Sequence, residues 1–250
     1  ALISNYFNKI TGNYFPQKKI IYGNLIEKLR YGENPHQESA IYSKVSEMDI
    51  NQIHGKKLSY NNYNDIFAAL TISKSLPKNT GTVIVKHSNP CGVSIKKNHL
   101  ESYKSAFACD PVSAFGGIVS CNFKITKVLA LELAKIFLEV IIANNFDSSA
   151  LKILKKKKNL RLIDASNYKI NNSLKYLSVN NEILIQSEDI KKFTLKDFKI
   201  VSKRKPTSKE IKNLIFAFNI CRYVKSNAIV LAANDTTAGI GSGQPSRLDS

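Results

Sequence analysis

The chain has 250 residues, of which 43% are hydrophobic and 22% charged, a balance typical of a globular protein with a sizeable core. Its net charge of +18 would suit an anionic partner such as nucleic acid. Only five of the 37 basic residues are arginine, however, and aromatic residues are not interleaved with the basic ones. Enrichment in Lys, Ile and Asn together is what an AT-rich coding sequence produces, so the charge does not predict nucleic-acid binding.

Membrane insertion and secretion are also disfavoured. No run of 18 or more apolar residues occurs, which argues against a membrane span. No secretory signal is visible at the start of the chain. The four cysteines, Cys91, Cys109, Cys121 and Cys221, show no paired short spacing, which argues against a structural zinc site and against a disulfide scaffold. We therefore expect a reduced, cytoplasmic setting.

The two ends of the sequence predict that it is part of a longer chain. The only methionine is Met48, so Ala1 is not an initiator residue. The last residues, 239–250, form a glycine-rich stretch with no predicted element after it. Such a stretch would leave the preceding strand uncovered, and an uncovered sheet edge is a liability.

The first part of the chain predicts loops, helices and strands in alternation. Residues 1–20 show no period, and residues 24–37 include a polar loop rich in turn formers. Apolar spacing predicts a helix over 64–76, which Pro77 ends. The elements that follow are a strand at 82–85, a helix at 100–108, a strand at 118–121, a helix at 127–137 and a strand at 138–143.

The second part continues the alternation. It predicts a helix at 148–156 and a strand at 160–163, whereas 168–201 fits either edge strands or a connection. Thr207-Ser208-Lys209-Glu210 is a capping box, and the apolar residues after it recur at helical spacing. A strand at 227–233, a turn at 234–237 and a returning strand at 238–241 close the chain. This order predicts a layered α/β architecture.

A lysine and a histidine stand side by side at the end of the predicted strand 82–85. Lys86 and His87 are followed by Ser88-Asn89-Pro90-Cys91-Gly92, which predicts a tight loop. A buried strand that ends in a cation and an imidazole is how α/β enzymes present proton-transfer groups at the carboxyl edge of a sheet. The alternative is that Lys86 is merely solvated and His87 merely caps the loop, since a short motif alone does not exclude this.

Arginine scarcity points to candidate anion binders. Where composition favours lysine, a retained arginine indicates a need for the planar fork that binds phosphate or carboxylate. Arg30 and Arg247 both lie in glycine-containing loops and are the first candidates. Arg222 lies in a predicted helix and fits a surface or capping role.

Seven strings of this sequence carry a resemblance to one family. They are RYGENPHQ, LSYNN, KHSNPCG, DPVSAFGGIV, EVIIA, RYVKSNAIV and GIGSGQPSR. From about Asn5 to its end, the chain resembles the formyltransferase domain of the bifunctional 5-aminoimidazole-4-carboxamide ribonucleotide (AICAR) transformylase/IMP cyclohydrolases. The implied fold is a layered α/β/α, cytidine-deaminase-like one, duplicated, with the second copy truncated. Residues 1–20 would then be a linker from an absent cyclohydrolase domain, 21–200 the first subdomain and 201–250 the start of the second.

The resemblance implies formyl transfer from 10-formyltetrahydrofolate to the 5-amino group of AICAR, in IMP biosynthesis. The natural full-length protein would also be an IMP cyclohydrolase. It would act as a cytoplasmic homodimer with shared active sites, without nucleic acid or membrane partners. Much of the folate site would lie beyond Ser250, so residues 1–250 alone are expected to be inactive.

The resemblance also implies residue roles. His87 would take the proton of the attacking amine, and Lys86 would stabilise the oxyanion or protonate the departing folate nitrogen. Arg30 would bind the phosphate, together with Tyr31. The remaining substrate contacts implied are the backbone at Gly116, a ribose contact from Glu139, and Asn227 and Arg247 from the partner subunit.

Zinc is not expected, although the implied fold is that of zinc-dependent deaminases. Those enzymes carry a P-C-x-x-C motif among their zinc ligands. Pro90-Cys91 is present here, but the residue three positions after Cys91 is Ser94. The sequence leaves open whether a monovalent cation is bound. An alternative function is that of a basic α/β module that binds RNA phosphates without catalysis, and such a module would not need Lys86-His87 at a strand end.

Overall fold

The protein divides into two compact units, residues 1–48 and 49–250. The computed structural model describes residues 2–45, 47–171, 174–246 and 248. Within these ranges, no helix has both the length and the apolar character that crossing a bilayer requires.

The first unit contains one helix and one hairpin. They are helix α1 (Leu2–Ile10) and the antiparallel strands β1 (Asn24–Leu29) and β2 (Ser39–Ser43). The expectation that residues 1–20 lack a regular pattern is wrong, because α1 presents apolar residues at the helical spacing i, i+3, i+4 and i+7. These residues are Ile3, Tyr6, Phe7 and Ile10. The predicted polar loop is confirmed only between the strands, since β1 begins at Asn24.

The second unit holds the remaining elements. In chain order they are β3 (Asn51–His54), α2 (Tyr60–Ser75), β4 (Gly81–Lys86), β5 (Asn89–Ile95), α3 (His99–Cys109), α4 (Pro111–Ala114), β6 (Ile118–Cys121), α5 (Lys127–Leu133), β7 (Val140–Ala143), α6 (Ser148–Leu154), β8 (Arg161–Asp164), β9 (Leu174–Val179), β10 (Glu182–Ser187), α7 (Ser208–Cys221), β11 (Ile229–Ala233) and β12 (Thr236–Gly241).

Eight of these strands form one mixed sheet in the order β11-β12-β5-β4-β6-β7-β8-β3. Only β6, β7 and β8 run parallel to one another, and β4 is antiparallel to both of its neighbours. Strands β9 and β10 pair with each other in a separate sheet, so 168–201 supplies no edge strand to the large one. The α/β class predicted from the sequence is confirmed.

Helices cover both faces of the large sheet. Val119 and Cys121 of β6 belong to the buried cluster that also contains side chains of α3, α5 and α6. Ser120, between them, points to the opposite face, where its hydroxyl lies 2.8 Å from that of Ser73 in α2. Strands β6 and β7 are therefore buried on both sides, which explains their continuous apolar sequences.

Two predicted ends of secondary-structure elements are wrong for the same reason. The helix predicted over 127–137 ends at Leu133, and the strand predicted over 138–143 begins at Val140. The connection between them is itself apolar, and Ile136 packs against the buried cluster from there. An apolar run that is buried without regular structure cannot be distinguished from a helix by its pattern.

The predicted capping box of α7 is confirmed. Thr207 accepts a hydrogen bond from the backbone N–H of Glu210 at 3.3 Å, and Glu210 accepts one from the backbone N–H of Thr207 at 2.7 Å. Arg204 donates to both carboxylate oxygens of Glu210, at 2.8 and 3.1 Å. The Arg204 hydrogen bond, followed by those from Thr207, lowers the pKa of Glu210 from 4.5 to about 2.

We expect the start of α7 to loosen in acid. Folding lowers the pKa of Glu210, so the ionised carboxylate stabilises the folded state. This contribution is fully present above pH 4.5 and is lost as the pH falls towards about 2. NMR titration of the Glu210 carboxyl and of the Thr207 amide should show both changing together in that range. In a Glu210→Gln variant the Thr207 amide should not titrate there. A Glu210 carboxyl that titrates near 4.5 would contradict this prediction.

Candidate active site

Lys86 and His87 lie at a β-hairpin. Strand β4 ends at Lys86 and β5 begins at Asn89, so His87 and Ser88 are the two residues of the turn. The expected loop over 89–92 is wrong, because these residues begin β5. The pairing of β4 with β5 shifts between Ile84 and Val85, which makes Cys91 the extra residue of a β-bulge. Proline is tolerated at such bulges, and this is why Pro90 did not end the strand.

Both turn residues adopt a backbone conformation that their side chains disfavour. His87 has φ +51° and Ser88 has φ +62°, the left-handed pair typical of a type I′ turn. Such positions favour Asn and Gly, and other residues there cost about 1–3 kcal/mol each. The hairpin between β11 and β12 uses Asn234 and Asp235, at φ +52° and +59°, which adopt this conformation more readily.

A carboxylate from helix α2 holds the turn. Asp65 Oδ1 accepts hydrogen bonds from the Ser88 backbone N–H at 2.6 Å and from the Ser88 hydroxyl at 3.2 Å. Its Oδ2 accepts one from the backbone N–H of His87 at 3.3 Å. Asp65 could not be predicted from the sequence, because it lies more than twenty residues from His87 and no local pattern links the two.

Lys86 connects the hairpin to the string DPVSAFGGIV, one of those that carry the resemblance. It is half-buried, and its Nζ donates to the carbonyl oxygen of Phe115 at 2.9 Å. The next residue, Gly116, has φ +72° and donates its N–H to the carbonyl of Phe137 at 2.9 Å. A Cβ at Gly116 would meet only the Phe137 ring, at 3.6 Å, so the positive φ rather than crowding accounts for this glycine.

A second carboxylate lies near Lys86. Asp110 caps helix α4 and accepts a hydrogen bond from the backbone N–H of Ser113 at 2.9 Å. The hydrogen bonds from Ser113 lower the pKa of Asp110, and the charge of Lys86 contributes to the same effect. The ammonium group therefore lies in the field of an ionised carboxylate.

The site occupies a different sheet edge from the one expected. Because β4 is antiparallel to β6, its carboxyl end lies beside the start of β6, with Val85 opposite Ile118. Lys86 therefore lies where the parallel strands begin. At their carboxyl ends, Asn144 donates to the carbonyl of Asn122 at 2.7 Å and accepts from Lys74 Nζ at 2.6 Å. These hydrogen bonds join the segments that follow β6 and β7 to each other and to α2. Polar groups inside a protein need such partners.

The hairpin also contacts the segment that carries Asn227. Asn89 Nδ2 donates to the carbonyl of His87 at 3.2 Å, and its Oδ1 accepts from the backbone N–H of Lys225 at 3.3 Å. Asn227 Nδ2 in turn donates to the carbonyl of Pro245 at 2.9 Å. Hydrogen bonds thus join the hairpin to two more of the strings that carry the resemblance, DPVSAFGGIV and RYVKSNAIV. Arg247, the last predicted substrate contact, lies outside the described residues.

Glu139 is held by an arginine. Its Oε2 lies 2.5 Å from Arg161 Nη1, and the Arg161 side chain is only 13% exposed. The backbone N–H of Glu139 donates to the carbonyl of Gly117 at 3.1 Å, which places it next to the Gly116 turn. Arg161 was not among the predicted residues, although the scarcity of arginine is a signal that points to it.

Arg30 and Tyr31 lie in the first unit, after β1. Arg30 is exposed, and its Nη2 donates to the Tyr31 hydroxyl at 3.0 Å. The guanidinium carbon lies 4.7 Å from the centroid of the Tyr31 ring, within the range of a cation–π contact. Ser39 fixes the backbone by donating to the Tyr31 carbonyl at 2.7 Å. This neighbouring pair can bind an anion through the guanidinium and stack an aromatic group on the phenol.

The cysteines are poorly suited to nucleophilic chemistry. Burial, followed by the charge of Asp110, raises the pKa of Cys91 to about 12. Burial also raises the pKa of Cys121 to about 12, and it raises those of Cys109 and Cys221. The thiolate is the nucleophile, so these groups are held in their unreactive form near neutral pH.

No metal-binding cluster of three or more His, Cys, Asp or Glu side chains is found within the described part of the chain. The sequence contains two H-x-E triplets, His36-Gln37-Glu38 and His99-Leu100-Glu101. The first lies in the first unit, whereas Cys91 lies in the second. In the other triplet, the His99 ring stacks on Phe123, and its Nε2 lies 2.9 Å from the carbonyl oxygen of Asn79.

Comparison with known proteins identifies the family. A family model described as the AICARFT/IMPCHase bienzyme matches residues 1–250. Proteins named bifunctional purine biosynthesis protein PurH are similar to this chain. Those of Parvibaculum lavamentivorans and Caldicellulosiruptor saccharolyticus are 43% identical over 100% and 99% of the chain. That of Oceanobacillus iheyensis is 41% identical over 99%. The chain spans about half the length of these curated relatives, between 48% and 50%. The chain belongs to the AICARFT/IMPCHase bienzyme family.

Proposed function

We propose that this chain carries the machinery for formyl transfer from 10-formyltetrahydrofolate to the 5-amino group of AICAR, a step of purine biosynthesis. One observation carries the proposal: the Lys86-His87 hairpin is hydrogen-bonded both to Phe115 and to Lys225, which brings three motifs together. Membership of the bienzyme family supports the same reaction. In the whole protein, this activity would be accompanied by IMP cyclohydrolase activity.

The chemistry needs a base, because the attacking amine is a poor nucleophile. Its lone pair is delocalised into an imidazole ring that bears a carboxamide. As the amine nitrogen bonds to the formyl carbon, it must lose a proton, and His87 accepts that proton. Histidine suits this task because it exchanges protons near neutral pH. Collapse of the tetrahedral intermediate breaks the bond between the formyl carbon and N10 of the folate, which takes up a proton.

Lys86 stabilises the negative charge that develops on the formyl oxygen during the reaction. An ammonium group has three N–H donors, and the bond from Nζ to the Phe115 carbonyl orients one of them. A fixed cation of this kind stabilises the oxyanion on the formyl carbon. Lys86 can also protonate the departing N10, so that the proton which left the amine is replaced on the leaving group.

The substrate contacts proposed are those that the resemblance to the family implies. Arg30 suits the phosphate of the nucleotide because its guanidinium is exposed and planar, and Tyr31 lies beside it. Gly116 gives the backbone close access to the substrate. Glu139, oriented by Arg161, would accept from ribose hydroxyls. Asn227 and Arg247 would complete a neighbouring site across a dimer.

The assembly is proposed on family grounds. The whole protein would be a cytoplasmic homodimer with shared active sites, and its transformylase part a duplicated, cytidine-deaminase-like fold. Residues 21–200 would form the first copy and 201–250 the start of the second. A monovalent cation could accompany the site, and zinc is not part of the proposal.

The proposal is tested by a Lys86→Met variant of the natural full-length protein. Methionine keeps the length of the side chain but removes the charge, so kcat for formyl-AICAR formation should fall by about 10²–10³-fold. Lys104→Met is the matched control, because Lys104 makes only a 4.0 Å surface ion pair with Glu132. Unchanged kcat in Lys86→Met would overturn the role of Lys86. Absence of formyl transfer in the parent protein would overturn the proposed function itself.

The second candidate function is a basic module that binds RNA phosphates. The charge of +18 is the observation that favours it. Its signature would be RNA binding that weakens steeply with salt and is unaffected by Lys86→Met, in a protein without formyl transfer.

A further inference from the structure

We propose that Asp65 is a positioning residue for His87. Its carboxylate holds the turn formed by His87 and Ser88 in the left-handed conformation, which fixes the direction in which the His87 side chain leaves the backbone. This inference rests on the proposed function, since it assigns Asp65 a role in that reaction.

Asp65 is held in place by a helix that packs into the core. It lies on α2, and its neighbour Ile66 and the residue one turn later, Leu70, are both fully buried. The helix therefore presents the Asp65 carboxylate at a fixed place. From there the carboxylate accepts three hydrogen bonds, at 2.6, 3.2 and 3.3 Å. Hydrogen bonds to a charged acceptor are stronger than those between neutral groups.

The turn needs this support because of its sequence. A type I′ turn places both central residues at positive φ, where Asn and Gly are preferred. The β11–β12 hairpin follows that rule with Asn234 and Asp235, whereas the β4–β5 hairpin has His87 and Ser88. The turn next to Lys86 therefore lacks the Asn and Gly that its conformation favours, and the carboxylate of Asp65, on another element, compensates by hydrogen bonding. Such a combination is expected at functional sites.

The consequence for catalysis follows from the geometry. If φ of His87 returned to the ordinary negative range, the Cα–Cβ bond would change direction and move the imidazole to a different place. A general base must lie within hydrogen-bond reach of the proton that it removes. A displacement of about 1 Å can lower a rate by about 10²-fold.

The test uses variants of the natural full-length protein. Asp65→Ala should lower kcat for formyl transfer by about 10²-fold and leave KM for AICAR near its parental value. Asp65→Asn keeps an oxygen acceptor without the charge, so its kcat should be intermediate. Asp147→Ala is the matched control, since Asp147 forms only a surface ion pair with Lys124 at 2.7 Å, and its kcat should be parental.

A second substitution that restores activity would distinguish a positioning role of Asp65 from direct contact with the substrate. Glycine adopts positive φ without strain, so adding Ser88→Gly to Asp65→Ala should recover at least about tenfold in kcat. If Asp65 acted directly on the substrate, the glycine would not help. Failure of this rescue would overturn the proposal.

A second readout does not depend on activity. NMR of the parent and of Asp65→Ala should show the amide protons of His87 and Ser88 shifting upfield and exchanging faster when the carboxylate is removed. Unchanged amides would overturn the proposal, even if the parent lacks formyl transfer and the proposed function fails. An active parent whose Asp65→Ala variant keeps kcat within about threefold would overturn it equally. If Asp65→Ala does not fold, Asp65→Asn decides by the same criteria.

Discussion

Replacing His87 with asparagine in the natural full-length protein should lower kcat for formyl transfer by about 10²–10⁴-fold, the usual contribution of a general base. Asparagine is chosen because it tolerates the positive φ of +51° found at this position, whereas alanine would strain the turn. The variant therefore removes the proton acceptor and keeps the hairpin. KM for AICAR should stay near the parental value, because the loss is confined to the transition state.

His99→Asn is the matched control for this substitution. The His99 ring stacks on Phe123 with centroids 3.8 Å apart, and its Nε2 lies 2.9 Å from the carbonyl oxygen of Asn79. Its replacement should lower the melting temperature and leave kcat unchanged. If His87→Asn keeps kcat within about tenfold of the parent, His87 is not the base and another group must take the proton.

The largest effect on stability is expected for Gly92→Ala. This glycine lies in β5, and a Cβ there would sit 1.9 Å from the carbonyl oxygen of Ala106 in α3. The clash is with backbone, which cannot rotate away, so α3 would have to move off the sheet. Overpacking of this severity should cost at least about 3 kcal/mol in the free energy of unfolding. Thermal unfolding should show the melting temperature lowered by about 6–12 °C.

Gly239→Ala supplies the comparison for this prediction. Gly239 also lies in a strand, β12, but a Cβ there would meet only the Leu231 side chain, at 4.0 Å. Its replacement should leave the melting temperature nearly unchanged or raise it slightly, since alanine restricts the unfolded chain. Equal melting temperatures for the two variants would mean that α3 does not approach β5 as closely as the structure indicates.

The elements that the sequence predicted well are those with strong local signals. The capping box at Thr207 and the apolar period after it mark α7 unambiguously, and Pro77 follows the end of α2 closely. The buried strands β4, β6 and β7 were recognised from their β-branched runs. In contrast, α1 was not predicted, although Ile3 and Phe7 lie on one helical face. The segment is too short for its apolar residues to show a clear helical period.

The position of Lys86 and His87 at the end of a strand was predictable from the sequence, whereas the geometry around them was not. The loop predicted after His87 extends to Gly92, whereas the turn ends at Ser88, because Pro90 and Gly92 resemble loop residues. Both belong to a strand for tertiary reasons: Pro90 lies at a bulge, and Gly92 makes room for α3. Strand direction and the Asp65 contact depend on distant pairings, which a local pattern does not contain.

The bridge from Asn89 to Lys225 has a consequence for synthesis of the protein. These residues are 136 positions apart, and the contact between Val93 and Thr237 spans 144. Contacts so distant in sequence slow folding. At typical translation rates of about 5–20 residues per second, Lys225 leaves the ribosome about 7–27 s after the hairpin. Through that interval the nascent chain already carries Lys86 and His87 while the segment that borders them is still being made, so the candidate site is completed only late in synthesis.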